Sequence, residues 1–560
     1  MSGYYDLGSH TRAISTSSPE AQLWFDRGLN WTYGFNHEEA VRCFEKAIEF
    51  DPDCAMAHWG VAYAAGPNYN RAWDRFDAVS LARMATTTHA AISRAAELRE
   101  KAGPAEQALI EALQARYQAP EPLPDVEDFA AWNDDYAAAM RNVYRDYGDD
   151  LDITALFAEA LMNRTPWLLW DLKAAAPASG ADTLEAMEAL ERALETPESR
   201  THPGVLHMYI HLMEMSPFPE RALKACDRLR GLVPDAGHLE HMATHIDVLC
   251  GHYPIVVESN HKAIVADLKF LEREGAMNVY TLYRSHNYHF KMYGAMFTGQ
   301  YEVALDAATD LVSNIPDEVM KLETPPMANF LESFVSMKMH VLIRFGKWQE
   351  IIDTPLPDDP VLYSVTTAMI HYAKGVALAA TGRIDEARQQ KELFEAAVSR
   401  VPDTRYLHNN TCLDLLAVAA EMLNGELEYR VGNYDAAFAH LRKSIELDDG
   451  LPYDEPWGWI QPTRHAYGAL LLEQGHVEEA EAVYRADLGL DGSLARAYQH
   501  PENVWSLHGY HECLTRLGKL EMAGMIKQRL DLAAARADVP IQASCYCRMT
   551  HAAPALAAPA

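Results

Sequence analysis

The sequence predicts an all-α protein built as a right-handed superhelix of stacked helical hairpins. Two observations lead to this class. A 34-residue pattern of small and large apolar residues recurs along most of the chain, and such a period is the signature of a helical repeat array. None of the 560 residues falls in a segment with convincing strand periodicity. Each hairpin of such an array buries its apolar face against its neighbours.

The repeat pattern is clearest in residues 21–54. Gly28 and Ala40 occupy positions 8 and 20 of this window, where small residues let paired helices approach closely. Phe44 at position 24 fills the space between helices, and Pro52 at position 32 ends the second helix. This spacing resembles the tetratricopeptide repeat.

The same pattern recurs further along the chain. The recurring windows are 203–236, 285–318, 368–401, 418–451 and 461–494, with a looser one at 237–270 and an irregular pair at 502–536. Residues 55–200 are helical by composition but out of register, and loops are expected at 119–129 and 173–182.

We therefore predict three repeat regions on one continuous superhelix. Residues 1–200 form N-terminal helical repeats with insertions, 201–320 form histidine-rich repeats, and 321–548 form C-terminal repeats. The tail 549–560 is rich in Ala and Pro and is expected to be disordered.

Composition limits the classes of partner. A net charge of -32 argues against nucleic-acid binding and against an anionic membrane surface, both of which need Lys and Arg. The sequence contains no apolar run of the roughly 18 to 20 residues needed to span a bilayer. It also shows no secretory signal at its start, and its 8 cysteines form no disulfide framework. A cytoplasmic location is expected.

Histidines concentrate between residues 202 and 289, which hold 10 of the 24 in the chain. Seven of them take positions 2, 5 or 9 on the first helix of a repeat and lie one helical turn apart. In tetratricopeptide arrays these positions face the concave groove, so the resemblance implies that the imidazoles converge. The predicted metal ligands are His207, His211, His241, His245, His286 and His289, followed by His238 and His202.

Other interpretations of these histidines stay open. Histidines in a groove can bind an acidic peptide or an aromatic ligand instead of a metal, and isolated ones usually have no special role. His202 precedes the first cluster and either adds a ligand or caps the helix. The cysteines lie outside the clusters, which argues against a thiolate site.

Six to eight imidazoles exceed the need of one tetrahedral ion, so two ions are expected. Imidazole suits copper, iron and zinc. Copper is favoured, with iron or zinc as alternatives, because carboxylates are few; Glu214 keeps a mixed site open. Copper or iron would favour oxidation of a small molecule by dioxygen. The candidate substrate-binding residues are Tyr209, Tyr283, Trp457, Trp459, Glu455 and His465.

Nearly all of residues 20–548 resemble a group of bacterial and fungal tetratricopeptide-repeat proteins without an assigned activity. The resemblance rests on the window 21–54 with its continuation, on HPGVLHMYIHLMEMS, GHLEHMATHIDVLCGHY and RSHNYHF, and on YDEPWGWIQPTRHAYGALLLEQG. It implies the fold and marks the histidine motifs, but it names no reaction.

Two further functional hypotheses accompany the metalloenzyme. The first is a non-enzymatic scaffold that binds a peptide or protein partner through its groove; separately, the chain is a candidate homo-oligomer. The second is a metal store or chaperone, suggested by Cys545 and Cys547, whose spacing suits a soft cation.

Overall fold

The structure is a computed structural model that describes residues 3–548. The predicted disordered tail, 549–560, lies outside the described residues.

The N-terminal third consists of paired antiparallel helices. These helices are α1 (Pro19–Tyr33), α2 (His37–Phe50), α3 (Ala55–Ala65), α4 (Ala78–Glu97), α5 (Pro104–Gln114), α6 (Phe129–Tyr147), α7 (Leu151–Met162) and α8 (Thr183–Leu194). A short antiparallel hairpin, β1 (Trp170–Asp171) and β2 (Ala176–Pro177), lies between α7 and α8.

The central repeats carry the histidine motifs. Their helices are α9 (Pro203–Met213), α10 (Leu223–Leu229), α11 (Gly237–Leu249), α12 (Tyr253–Glu274), α13 (Thr281–Phe297) and α14 (Tyr301–Ser313). The first helices of successive hairpins are neighbours, because α11 packs against both α9 and α13. This arrangement places the histidine-bearing helices side by side.

The C-terminal repeats complete the stack. Their helices are α15 (Asp317–Met320), α16 (Ala328–Val335), α17 (Met337–Arg344), α18 (Trp348–Asp353), α19 (Ser364–Ala380), α20 (Ile384–Val398), α21 (Cys412–Arg430), α22 (Tyr434–Asp448), α23 (Thr463–Gln474), α24 (Val477–Asp487), α25 (Val504–Arg516) and α26 (Leu520–Ala534). A second two-residue hairpin, β3 (Tyr406–Leu407) and β4 (Asn410–Thr411), precedes α21.

The predicted all-α class of stacked helical hairpins is confirmed. The two β-hairpins, β1–β2 and β3–β4, were not predicted, because strands of two residues leave no periodicity in a sequence. Among the described residues, no helix is both long enough and apolar enough to cross a membrane.

Close helix contacts explain the small residues of the repeat pattern. The Phe44 ring lies over Gly28 and Gly60, where an added Cβ would come within 2.6 and 2.5 Å of ring carbons. A Cβ cannot approach an aromatic carbon so closely, so both positions need glycine. The repeat thus packs three successive helices around one buried ring.

Candidate metal centre

The three central helices bring six histidines together in two groups of three. Triad A consists of His207 and His211 from α9 and His238 from α11. Triad B consists of His241 and His245 from α11 and His286 from α13. Within each triad, one ring nitrogen from every residue lies within 4.8 Å of the others.

Triad A is enclosed. His207, His211 and His238 are 0%, 0% and 1% exposed. The ring centre of His207 lies 4.7 Å from that of His211 and 5.0 Å from that of His238. The Nε2 atoms of His207 and His211 and both ring nitrogens of His238 have no hydrogen-bond partner. Buried polar atoms are normally paired, so four unpaired nitrogens in one triad make it a candidate site for a ligand.

Triad B is more compact. The Nε2 atoms of His241 and His245 lie 2.7 Å apart, and the His286 ring centre is 4.6 Å from that of His241. The two triads adjoin, because the ring centres of His211 and His245 are 5.7 Å apart. The geometry therefore offers two three-imidazole sites next to each other.

Hydrogen bonds on the outer side orient the rings. The Nδ1–H of His207 donates to the Tyr33 carbonyl oxygen at 2.7 Å. The Nδ1–H of His241 donates to Asn260 Oδ1 at 2.8 Å, since the Asn260 amide nitrogen is occupied by the Val256 carbonyl. An Nδ1–H donor leaves Nε2 as an acceptor that faces the site. This is the arrangement that proteins use to hold metal-binding histidines.

One buried carboxyl group serves both triads. Glu214 accepts from Nδ1 of His211 at 3.0 Å and from Nδ1 of His245 at 2.8 Å. Glu455 also contacts Nδ1 of His245. Glu455 belongs to the segment 449–462 between α22 and α23, and Tyr453 of that segment donates to the Glu214 carbonyl oxygen at 3.1 Å.

Burial determines the protonation of these groups. It lowers the pKa of His207 to about 3 and that of His241 to about 4. Burial, together with neighbouring imidazoles, also lowers the pKa of His211 and His245 well below the usual range. The imidazoles are therefore neutral near pH 7, which is the form that binds metals.

Burial raises the pKa of the carboxyl groups beside the triads, whereas it lowers the pKa of the imidazoles. Burial, and then the neighbouring Glu455 charge, raise the pKa of Glu214 well above its usual range. Burial also raises the pKa of Glu455. Two buried carboxyls this close do not both ionise, so the pair retains a proton near pH 7.

Aromatic rings wall the triads from water. Phe35 stacks on His211 and His238 with ring centres 5.6 and 5.2 Å apart. Phe290 lies 4.8 Å from His241 on the other side, and Tyr69 lies 4.9 Å from His211. These rings, which come from several elements, exclude water from the site.

Backbone strain concentrates at this wall. Five non-glycine residues within 3–548 have positive φ, and three of them contact the histidines. Phe35 has φ 54°, Trp167 beside His211 has φ 61°, and His408 beside His286 has φ 49°. Such conformations cost energy and collect at functional sites, where the surrounding structure holds them.

His202 lies apart from both triads. Its Nδ1 accepts from the backbone N–H of Val205 at 3.2 Å, which caps the start of α9. Its Nε2 lies 3.1 Å from Asp152 Oδ1. Nδ1 of His202 thus has the capping role, whereas its Nε2 belongs to a separate group with Asp152 and His10, whose possible ligand atoms lie within 4.8 Å of one another. His289 is fully buried beyond triad B, with both nitrogens unpartnered.

The predicted substrate-binding residues fall into two sets. Tyr283 lies 4.9 Å from His238, and Glu455 contacts His245, so both adjoin the triads. Within residues 3–548, the other four make their polar or ring contacts elsewhere. Tyr209 donates to Glu191 at 2.9 Å, and Trp457 donates to Asp448 at 2.9 Å.

Trp459 and His465 belong to a different part of the interior. Trp459 packs 4.9 Å from His340 and lines a cavity of about 30 Å³ with Arg344. His465 is bound on both nitrogens, by Arg344 at 3.0 Å and by Asp487 at 3.0 Å. Position 5 of the C-terminal repeat at 461–494 thus holds a satisfied core histidine.

Several residues at the site were not predicted. Phe35, Tyr69, Trp167 and His408 stand outside the regular helices, and Asn260 lies on α12. Helical spacing places side chains only along one element, so contacts made by turns from distant parts of the chain leave no such signal.

The comparisons with known proteins bear on the fold. Residues 22–54 match the family model described as tetratricopeptide repeat. No curated protein matches the sequence.

Three solved structures share low similarity with the whole chain. Yeast Tom70 is 12% identical with a TM-score of 0.28, over 91% of this chain and 96% of that one. A monomeric IFIT1 mutant with Gppp-AAAA is 12% identical with a TM-score of 0.31, over 85% and 90%. Naa15/Naa10 bound to HypK-THB is 12% identical with a TM-score of 0.21, over 91% of this chain and 70% of that one. At these values the likenesses assign neither a ligand nor a partner to this chain.

Proposed function

We propose that the chain is a metal-dependent enzyme that holds one transition-metal ion on triad A and one on triad B. The observation that carries this proposal is the 2.7 Å separation between Nε2 of His241 and Nε2 of His245. When both rings donate through Nδ1, to Asn260 and to Glu214, both Nε2 atoms present lone pairs. Two facing lone pairs this close repel each other, and a cation beside them removes that repulsion.

A metal ion supplies that cation better than a proton does. Burial lowers the pKa of both imidazoles, so neither ring readily takes up a proton. The unpartnered nitrogens of triad A extend the same argument to a second ion. The hydrogen bonds that the rings donate to oxygens of Tyr33, Asn260 and Glu214 hold the rings in the orientation that ligation needs.

The donor set favours copper, with iron or zinc as alternatives. Each triad consists of imidazole alone, whereas di-iron sites on helices draw on several Glu ligands. Glu214 faces the Nδ1 side of His211 and His245, where it orients ligands. Copper held by imidazoles supplies one-electron chemistry with dioxygen. We therefore propose an oxidoreductase that acts on a small molecule.

The protein's own groups define what reaches the ions. Phe35, Phe290 and Tyr69 enclose the triads, so a substrate that reaches the ions would have to be small. Tyr283 and Glu455 are the polar groups beside His238 and His245. The Glu214–Glu455 pair holds a proton within reach of the site.

Elemental analysis tests the proposal. Full-length protein from copper-supplemented and iron-supplemented cells is compared with the double variant His241→Asn/His245→Asn. The control is His261→Ala, which removes an exposed histidine from α12. We expect at least two ions per chain in the wild type and the control, and loss of the triad B ion in the double variant. Equal metal content in all three proteins would refute the assignment.

A second candidate function is a scaffold that binds a protein partner. The tetratricopeptide repeat at 22–54 supports it, as does an apolar face at the end of the stack. On α26, Met522, Met525 and Leu532 are 45%, 70% and 75% exposed. Exposed apolar patches mark interaction sites. The histidine positions themselves are buried, so such a partner would bind at this outer face.

Self-association is the simplest test of that candidate. We expect light scattering to show a concentration-dependent dimer that the variant Met525→Lys/Leu532→Lys abolishes. A monomer at all concentrations would exclude a second copy as the partner.

The metal-store hypothesis receives less support. Cys545 and Cys547 form a disulfide, so they offer no thiolate to a soft ion in this state. Both residues line the cavity beside Trp459 and Arg344.

A further inference from the structure

A third group of histidines adjoins triad B. His286, His289 and His408 each offer a ring nitrogen within 4.8 Å of the others. His286 and His289 lie one turn apart on α13, whereas His408 comes from the tip of the β3–β4 hairpin. We call this group triad C. It shares His286 with triad B.

The packing around His289 does not explain why a polar side chain stands at this position. It is 0% exposed, and neither of its ring nitrogens has a hydrogen-bond partner. Its ring contacts are Phe334 at 5.5 Å and His408 at 6.1 Å. Burial of an imidazole with both nitrogens unpaired is costly, so this residue indicates a ligand that pairs with it.

His408 is held in place by its surroundings. Its backbone has φ 49°, a conformation that non-glycine residues rarely adopt. Arg75 donates to the His408 carbonyl oxygen at 3.5 Å, and Ser333 donates to the Tyr406 carbonyl oxygen at 3.0 Å. The hairpin therefore projects the His408 ring toward α13 from a tip anchored on both sides.

We propose that triad C binds a third transition-metal ion and that His286 bridges the ions of triads B and C. Nδ1 of His286 lies 3.1 Å from Nε2 of His408, and the His286 ring centre lies 4.6 Å from that of His241 and 5.9 Å from that of His245. In this proposal Nε2 of His286 binds the ion of triad B. An imidazole that ligates through both nitrogens gives up its N–H proton to solvent. The three triads then form a continuous row across α9, α11 and α13.

This inference rests on the proposed function, because it needs a metal in triad B. Its simplest alternative is a hydrogen bond in which His408 only orients His286. The two differ in the number of ions that the protein holds.

Ion counting with matched variants separates them. Full-length protein is stripped with chelator, loaded with Cu²⁺, desalted and analysed for copper by mass spectrometry, and Zn²⁺ is used in parallel. The variants are His408→Asn, His286→Asn and His207→Asn, with His261→Ala as the control. Asparagine tolerates positive φ, so His408→Asn removes the imidazole and keeps the hairpin tip. Circular dichroism verifies that each variant is folded.

We expect three ions in the wild type and the control, two in His408→Asn, two in His207→Asn and one in His286→Asn. A wild type with two ions, unchanged by His408→Asn but reduced by His207→Asn, would overturn the third site and leave the proposed function standing. Three ions in His408→Asn would also overturn it. A wild type that holds no ion would overturn both.

Discussion

Glu214 links the two proposed ions, and its replacement gives the most informative prediction. Its carboxyl group accepts from Nδ1 of His211 at 3.0 Å and from Nδ1 of His245 at 2.8 Å, one ring in each triad. In Glu214→Gln, one of the two oxygens becomes an amide NH₂, which cannot accept from an imidazole N–H. Even if the glutamine oxygen takes the place of Oε2, which lies 3.1 Å from Nδ1 of His211 and 2.8 Å from Nδ1 of His245, the NH₂ group then faces the N–H of His211 and weakens that hydrogen bond.

The magnitude follows from how such partners act. Removing one hydrogen-bond partner of a metal ligand typically lowers metal affinity about 10- to 100-fold, which corresponds to about 1.4 to 2.7 kcal/mol per ion. Glutamine preserves the volume of the buried side chain, so the fold should be retained. We expect the affinity of one ion or both to fall by this factor.

Competition with a chromophoric chelator measures the two affinities. The control is Glu191→Gln, because Glu191 accepts from Tyr209 away from the triads and should leave both affinities unchanged. Unchanged affinities in Glu214→Gln, or an equal loss in Glu191→Gln, would refute the role assigned to Glu214.

Three further predictions follow from the surroundings of the triads. Phe35→Ala removes the ring that stacks on His211 and His238. Urea denaturation should show that the free energy of unfolding falls by about 3 kcal/mol. A fall of less than about 1 kcal/mol would contradict the packing described for this ring. Burial lowers the folded-state pKa of His207 from 6.5 to about 3 and that of His241 from 6.5 to about 4. Below pH about 6.5 the unfolded chain therefore binds more protons than the folded protein. The stability of the metal-free protein should fall as the pH is lowered from about 6.5 toward about 4. Urea titrations at several pH values measure this, and stability that rises on acidification would contradict it. The variants Tyr209→Phe and His465→Asn should leave the metal content unchanged. His465→Asn should also lower the melting temperature, because it breaks the hydrogen bond with Asp487. Loss of metal in either variant would show that the replaced residue reaches the site.

The repeat pattern made the fold accessible from sequence. Gly28 and Phe44 stand at positions that only close helix packing explains, and the structure shows that packing. The same register placed His207, His238 and His286 on adjacent first helices, where they lie side by side. Periodicity works here because each helix repeats the position of the one before it.

Contacts between distant segments were beyond this reasoning. His408 reaches α13 from a hairpin of two-residue strands, and Phe35 reaches α9 from the turn after α1. Neither residue belongs to a helical pattern from which the orientation of its side chain could be predicted. His465 shows the converse limit, because a repeat position specifies where a side chain points but not whether Asp487 already binds it. The metal-binding role of the triads remains a prediction.

X-ray absorption at the metal edge tests the central claim most directly. The account predicts metal bound only by nitrogen and oxygen at about 2.0 Å, the distance of metal–imidazole bonds, with strong imidazole scattering that weakens in His241→Asn/His245→Asn. Sulfur in the coordination shell, a spectrum that the double variant leaves unchanged, or protein that holds no metal after loading would contradict it.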